Sequence, residues 1–470
     1  MSILKFKHAH FIGVGGIGMS GIARVLLQMG LKVSGSDLKS SNLTEELKGL
    51  GAEIFLGHSS DNLAPDVDVV VVSSAISDDN PELIEAKRRG IEIVHRGHML
   101  SLLMKPLKGV AVAGTHGKTT TSAMIATIFK KANLEPTIVV GGELNGLGSN
   151  AQFGKGEYLV AEADESDGSF LDLSPRIAIV TSIDPDVNLA TEAYSDCGYD
   201  FDLITKRVQE LFVKFINGIT QDGLLILCGD HHGVRDILPQ VKKRFITYGL
   251  DPENDLHAVD ITLANYASRS RIIYNGQELG ELVLNVPGVH NVQNALAAVA
   301  AGLEVGLKFE DIVRYLANFA GVKRRFQIVG RGQGLTIVDD YAHNPSKLKA
   351  AIRAAHTGDA KRVVVIFQPH RYTRTRFFQE EYCLSFNDAD LLVITDIYSA
   401  GEIPLEGVSS RSLVEEIQKT GCVKEVVYAP QESDVLNFVR THCRQGDIVL
   451  FLGAGNICKF AEDFAESLKD

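Results

Sequence analysis

Short apolar runs alternate with stretches of helical periodicity along most of the chain. His10–Val14 and Lys32–Ser36 are expected strands. Between them, Ile17–Met29 carries apolar residues at helical spacing. Val69 to Val72 form one unbroken run, the pattern of a strand buried on both faces. Glu82–Arg89 predicts a helix and Ile91–Val94 a strand, and this rhythm implies a parallel sheet. Lys105–Gly109, with Pro106, is expected to be a linker. A second block follows. It has strands at Val110–Ala113, Tyr158–Ala161 and Ile177–Thr181, a helix from about Lys118 to Ala132 and an Ala-rich helix at Asn291–Gly302. Alternation between Val259 and Val286 predicts strands that turn at Asn275-Gly276. After a boundary near Gly321–Arg325 the strand–helix rhythm resumes, with strands at Thr336–Asp339, Arg362–Phe367, Leu391–Asp396 and Ile448–Leu452. The pattern predicts three α/β domains: 1–104, 105–320 and 321–470.

The length of 470 residues agrees with that division, at about 150 residues per domain. Lys plus Arg is 47 and Asp plus Glu is 59, so the net charge is −12, which argues against a generic nucleic-acid partner. No apolar run approaches the ~18 residues of a membrane span. The first ten residues lack the apolar core of a signal peptide. None of Cys197, Cys228, Cys383, Cys422, Cys443 and Cys458 has a partner at CxxC spacing, so reduced thiols and a cytoplasmic location are expected.

Two glycine-rich turns carry candidate chemistry. Gly13, Gly15 and Gly18 form GxGxxG between a strand and a helix, with Asp37 about twenty residues on. Such a turn lets a diphosphate approach the backbone at a helix N-terminus, but does not say which nucleotide. The sharper signal is Gly114-Thr115-His116-Gly117-Lys118-Thr119-Thr120, again between strand and helix. Its amides and Lys118 would cradle a triphosphate, and Thr119 would offer a hydroxyl to Mg²⁺. Val112 stands where the general pattern has its first glycine, so this is a variant loop.

Glu162-Ala163-Asp164-Glu165-Ser166-Asp167 follows a strand. Alone it reads as a solvated acidic loop; beside a phosphate loop, Glu162 becomes a candidate Mg²⁺ ligand. Arg324-Arg325-Phe326 fits a solvated linker as well as it fits a phosphate contact. His370 to Arg376 places four cations in one loop of an acidic chain and points to an anionic ligand. His231-His232 lacks a partner at metal spacing and reads as surface.

These segments, with Pro287–Ala295 and Asp339–Pro345, occur in the order found in the Mur ligases of bacterial cell-wall synthesis, which the chain resembles over essentially its whole length. The resemblance implies a Rossmann-like UDP-substrate domain, a P-loop-type central ATPase domain and a Rossmann-like C-terminal domain that takes the amino acid. His10–Ser20 and Phe367–Arg376 look most like the branch that joins L-alanine to UDP-N-acetylmuramate, and less like the branch that recycles murein peptides. ATP and Mg²⁺ are implied, with the product a peptidoglycan precursor. A monomer or weak homodimer is expected.

By resemblance, Gly114 to Thr120 with Asn294, Arg325 and Asp340 would bind ATP. Thr119 and Glu162 would hold Mg²⁺. Gly15, Gly16, Ile17, Gly18, Asp37, Ser74 and Arg96 would hold the UDP end. Tyr341, His343, His370, Arg371 and Arg374 would surround the amino acid and an acyl phosphate, with Lys118, Glu162, His343 and Arg371 catalytic. One departure stands out. Where the family has a histidine ligand for a second metal, this chain has Val187, within Thr181-Ser182-Ile183-Asp184-Pro185-Asp186-Val187, and Asn188 to Tyr199 looks inserted. Asp184 and Asp186 are candidate substitutes. Two other classes remain: a nicotinamide-dependent oxidoreductase using Gly13–Gly18 and Asp37, and a non-catalytic UDP-sugar sensor. Lys118 and Glu162 speak against the first, and Val187 motivates the second.

Overall fold

A computed structural model of the chain describes residues 5–185 and 200–468. Asp186, Val187 and the inserted stretch lie outside the described residues. Five strands form the first sheet: β1 (His8–Ile12), β2 (Lys32–Asp37), β3 (Glu53–Leu56), β4 (Val69–Val72) and β5 (Glu92–His95). Their order is β3-β2-β1-β4-β5, all parallel. The order reverses at β1, so the crevice beyond the carboxyl ends of β1 and β4 is where such a sheet takes a ligand. The glycine turn after β1 opens there.

The second sheet holds β6 (Lys108–Ala113), β7 (Thr137–Leu144), β8 (Ser149–Gln152), β9 (Tyr158–Glu162), β10 (Ile177–Val180), β11 (Leu224–Cys228), β12 (Phe245–Gly249), β13 (Leu256–Ala264), β14 (Ala267–Tyr274) and β15 (Gln277–Leu284). Its order is β15-β14-β13-β12-β11-β10-β6-β9-β7-β8. Strand β6 lies between β10 and β9, which brings the glycine loop after β6 beside the acidic segment after β9. Asn275 and Gly276 both have positive φ, 50° and 76°, as the expected two-residue turn between β14 and β15 requires. The expected linker shortens, because a helix runs to Met104 and β6 begins at Lys108.

The third sheet holds β16 (Gln327–Gly332), β17 (Leu335–Asp340), β18 (Arg362–Phe367), β19 (Leu391–Ile394), β20 (Val426–Tyr428) and β21 (Asp447–Leu452), in the order β16-β17-β21-β18-β19-β20. Its apolar runs are continuous because both faces are covered. Val363, Val365 and Phe367 of β18 enter one core, Val364 and Ile366 the other.

Two compact units result. One comprises Met1–Val259, Arg271–Gly280 and Gln293–Leu316; the other comprises Asp260–Ser270, Glu281–Val292 and Ala317–Asp470. Within the first unit, the helix Ile17–Gln28 packs on β7 and β8. Asn150 donates to the Ile17 carbonyl at 2.6 Å, and Ser101 to the Asp172 carbonyl at 2.8 Å. Gly97 marks the closest approach: a Cβ there would sit 2.5 Å from Ser169 Cβ and 3.0 Å from its carbonyl oxygen. Backbone on one side leaves no flexible tip to yield.

Gly97→Ala is therefore expected to destabilise the chain by about 1–3 kcal/mol in urea unfolding, as overpacking does. Gly49→Ala, where an added methyl meets nothing within 4 Å, is expected to stay within about 0.5 kcal/mol of wild type.

Candidate active site

The helix Lys118–Lys131 starts at Gly117, whose φ of 77° is left-handed and whose position offers no capping side chain. Its first amides therefore lack the side-chain acceptor that usually satisfies them, an arrangement that suits an anion. A Cβ at Gly117 would fall 2.6 Å from Asn294 Oδ1. Asn294 Oδ1 also accepts from Thr121 Oγ1 at 3.2 Å, so the expected ATP residue Asn294 stands against the loop.

Lys118 lies at the helix start with its side chain 13% exposed. Its Nζ donates to the Gly114 carbonyl at 2.6 Å and to both oxygens of Glu165 at 2.8 and 2.7 Å. Burial pulls this ammonium down, but Glu165, Asp164 and Glu162 outweigh it and hold it above the ordinary lysine range. Burial pushes the Glu165 carboxyl up, and the Lys118 ammonium pulls it back toward the ionised form.

Thr119 Oγ1 donates to Glu162 Oε2 at 2.9 Å, and the Gly141 amide donates to the same oxygen at 2.8 Å. A hydroxyl and a carboxylate beside this glycine loop are hard oxygen donors, and they would suit Mg²⁺, which takes oxygen ligands from outside the chain as well. Among the described residues no group of three or more His, Cys, Asp or Glu has metal-holding geometry. A metal here would therefore draw on those outside ligands.

His116 and Thr115 are held from the end of β10. The His116 amide donates to Ser182 Oγ at 2.8 Å, and the Asp184 amide to Thr115 Oγ1 at 2.8 Å. Asp184 Oδ2 lies 2.9 Å from His116 Nε2 and 3.2 Å from His231 Nε2. The two imidazoles outweigh burial and keep the Asp184 carboxyl well below the usual carboxylate range. His231 is thus a partner of the loop, not the surface residue its sequence context implied. Asp184, the candidate substitute metal ligand, is engaged by two histidines.

The UDP-site candidates gather at the turn after β1. The Gly15 amide donates to Asp37 Oδ2 at 2.9 Å. Gly16 and Ile17 are exposed at the start of the helix, and Ser74 is exposed in the turn after β4. Arg96 NH1 would stand 3.3 Å from a Cβ on Gly18. Arg96 NH2 donates to Asp164 Oδ2 and Asp167 Oδ2, each at 2.8 Å. Burial pushes the Asp164 carboxyl up, yet Arg96 and Lys118 outweigh it and bring it down to about 2.

In the second unit, Asp340 accepts from the Phe326 amide at 2.6 Å and the Ala342 amide at 2.7 Å, which fixes the turn that carries Tyr341 and His343. The Arg325 guanidinium lies 5.2 Å from the Tyr341 ring centre. His343 Nδ1 bonds the Tyr341 carbonyl at 2.8 Å, and its Nε2 lies 3.5 Å from Lys347 Nζ. A carbonyl can only accept, so the first contact places a ring proton on Nδ1. His370 stacks on Tyr398 at 5.7 Å and 10°. Arg374 NH1 donates to His370 Nδ1 at 3.0 Å. Arg371, at the strained φ of 69°, lies 3.5 Å from Glu402 Oε1. Sequence reasoning missed Glu165, Ser182, Tyr398 and Glu402, whose partners are distant along the chain, and Lys347, one helical turn from His343. Glu165 alone carried a signal, its place in the acidic run.

The chain matches the Mur ligase family, catalytic domain, over residues 8–107; the Mur ligase middle domain over residues 112–302; and the Mur ligase, glutamate ligase domain, over residues 324–455. The chain belongs to the Mur ligase family. It is 49% identical over 466 residues to the UDP-N-acetylmuramate–L-alanine ligase of Geotalea daltonii, covering 99% of each chain. It is 49% identical over 470 residues to that of Geobacter sulfurreducens, covering 99% of this chain and 98% of the other. The crystal structure of the UDP-N-acetylmuramate–alanine ligase of Thermotoga maritima is similar with a TM-score of 0.81 at 28% identity, covering 98% of this chain and 99% of that one. A murein peptide ligase of Psychrobacter arcticus shares the fold, with a TM-score of 0.70 at 23% identity. Among the described residues, no helix is long and apolar enough to cross a membrane.

Arg96→Ala would leave Asp167, whose side chain is 3% exposed, without its cation. A loss of about 2–4 kcal/mol is expected in urea unfolding. The acid limb tests the pairing. Asp164 is held low, so its contribution is present above about pH 4 and is lost as pH falls through about 2. Wild-type stability should fall across that window, and the Arg96→Ala curve should be flatter there.

Proposed function

We propose that this chain joins L-alanine to UDP-N-acetylmuramate with cleavage of ATP, a step in the synthesis of a peptidoglycan precursor. The observation that carries the reading is 49% identity over 99% of both chains to a ligase of that name. The arrangement of Lys118, Thr119 and Glu162 supports it, because a buried ammonium at the start of a helix and a hydroxyl–carboxylate pair beside it are the donor set that phosphate and Mg²⁺ call for. We also propose the three-domain division at 1–104, 105–320 and 321–470.

A carboxylate has no leaving group that an amine can displace. Transfer of the γ-phosphoryl group to the muramyl carboxylate supplies one: an oxygen–phosphorus bond forms, and ADP leaves. The alanine amine then attacks the acyl carbon and expels phosphate. In this reading Lys118 binds the transferring phosphoryl group and stabilises its charge. The amides of Gly114 to Thr120 orient the triphosphate, with Asn294, Arg325 and Asp340 completing the nucleotide contacts. Thr119 and Glu162 would hold Mg²⁺, which supplies charge neutralisation between phosphate oxygens when bound. Gly15 to Gly18, Asp37, Ser74 and Arg96 take the UDP end. Tyr341, His343, His370, Arg371 and Arg374 take the amino acid and the acyl phosphate.

Lys118→Ala is expected to lower turnover by at least ~10³-fold, the scale for removing a group that stabilises transition-state charge. Phosphate release with UDP-N-acetylmuramate across a panel of amino acids checks the assignment. Alanine should give the highest kcat/KM. Near-normal turnover in folded Lys118→Ala, or release independent of the UDP substrate, would contradict it.

A further inference from the structure

Lys118 has three ammonium protons, and three acceptor oxygens lie within hydrogen-bond distance: Gly114 O and both oxygens of Glu165. A phosphate oxygen can bind this ammonium only if one of those bonds is given up. The Gly114 carbonyl belongs to the loop backbone and moves only with the loop. Glu165 is a side chain on the neighbouring strand-to-turn segment, 3% exposed and bonded to Lys118 through both oxygens. It carries the same charge as a phosphate oxygen and meets the same donor. We infer that Glu165 is a positioning residue that stands in for a nucleotide phosphate on Lys118 while the site is empty, releases the ammonium when ATP binds, and takes it back as products leave.

The inference rests on the proposal that Lys118 binds ATP phosphates, and it adds a competition. An empty site with a buried, unpaired ammonium would be costly. Glu165 removes that cost and keeps the side chain extended toward the loop. The same pairing opposes the nucleotide, because each phosphate contact must displace a charge-assisted bond. Departure of ADP is correspondingly favoured, since the carboxylate recaptures the cation.

Glu165→Gln keeps shape and one acceptor but removes the charge. Binding of ATP and of ADP to the full chain, measured by calorimetry with and without Mg²⁺, tests the competition apart from turnover. Glu165→Gln is expected to bind both nucleotides about tenfold more tightly than wild type. KM for ATP should fall and kcat should fall with it, as product release slows. Glu165→Asp, which restores the charge, should return affinity toward wild type. Urea unfolding confirms that each variant is folded. Unchanged or weaker nucleotide binding by folded Glu165→Gln would overturn the inference. So would an unchanged ATP affinity with a raised Mg²⁺ requirement, which would make Glu165 a metal ligand. If wild type itself binds no ATP, the reading of Lys118 fails, and the inference with it.

Discussion

A buried ammonium cannot be left without partners, and the glycine-loop end of the second sheet is arranged around that constraint. Desolvating an unpaired charge costs several kcal/mol even after relaxation, so Lys118 must meet oxygen on every proton. It does so through Gly114 and Glu165. Glu165 can reach it because β9 runs parallel to β6 and delivers Glu162 to Asp167 beside the loop. The carboxylates of that short segment then divide. Glu162 accepts from Thr119 and Gly141, Glu165 takes Lys118, and Asp164 and Asp167 bind Arg96. One acidic turn thus orders the glycine loop after β6 and ties it to the helix that starts at Arg96, beside the glycine turn of the first sheet.

The third sheet solves a separate problem: how to hold cations and imidazoles in defined orientations at strand ends. Asp340 spends its carboxylate on two backbone amides, which fixes the turn after β17. Tyr341 and His343 are aimed by that turn. Arg374 and Tyr398 fix His370, and Glu402 holds Thr373 and Arg371. The strain stored at Arg371, with its positive φ, is offset by these bonds.

Local chemistry was legible in the sequence, and long-range pairing was not. The glycine loop between β6 and the helix at Lys118 and the Asn275-Gly276 turn are contiguous motifs whose residue types are dictated by backbone geometry, and both turns stand where their patterns put them. Strand β1 was placed two residues late, because the glycine turn follows Ile12 directly and Val14 belongs to the turn. Strand β3 carries no strong apolar run, being partly exposed, and escaped notice. Arg96 was legible as a candidate site residue, but its partners lie 68 and 71 residues away and follow from sheet order. His231 looked like surface for the same reason, since Asp184 reaches it only once β10 and β11 pair. The departure at Val187 lies outside the described residues.

In the proposed reaction the loop around Lys118 serves to activate a carboxylate as an acyl phosphate. Oxygen labelling tests this most directly. UDP-N-acetylmuramate carrying ¹⁸O in its carboxylate would be turned over with ATP and alanine, and the released phosphate examined by mass. The account predicts one labelled oxygen in each phosphate, because the carboxylate oxygen that attacks phosphorus leaves with it. Amide product accompanied by unlabelled phosphate would contradict it.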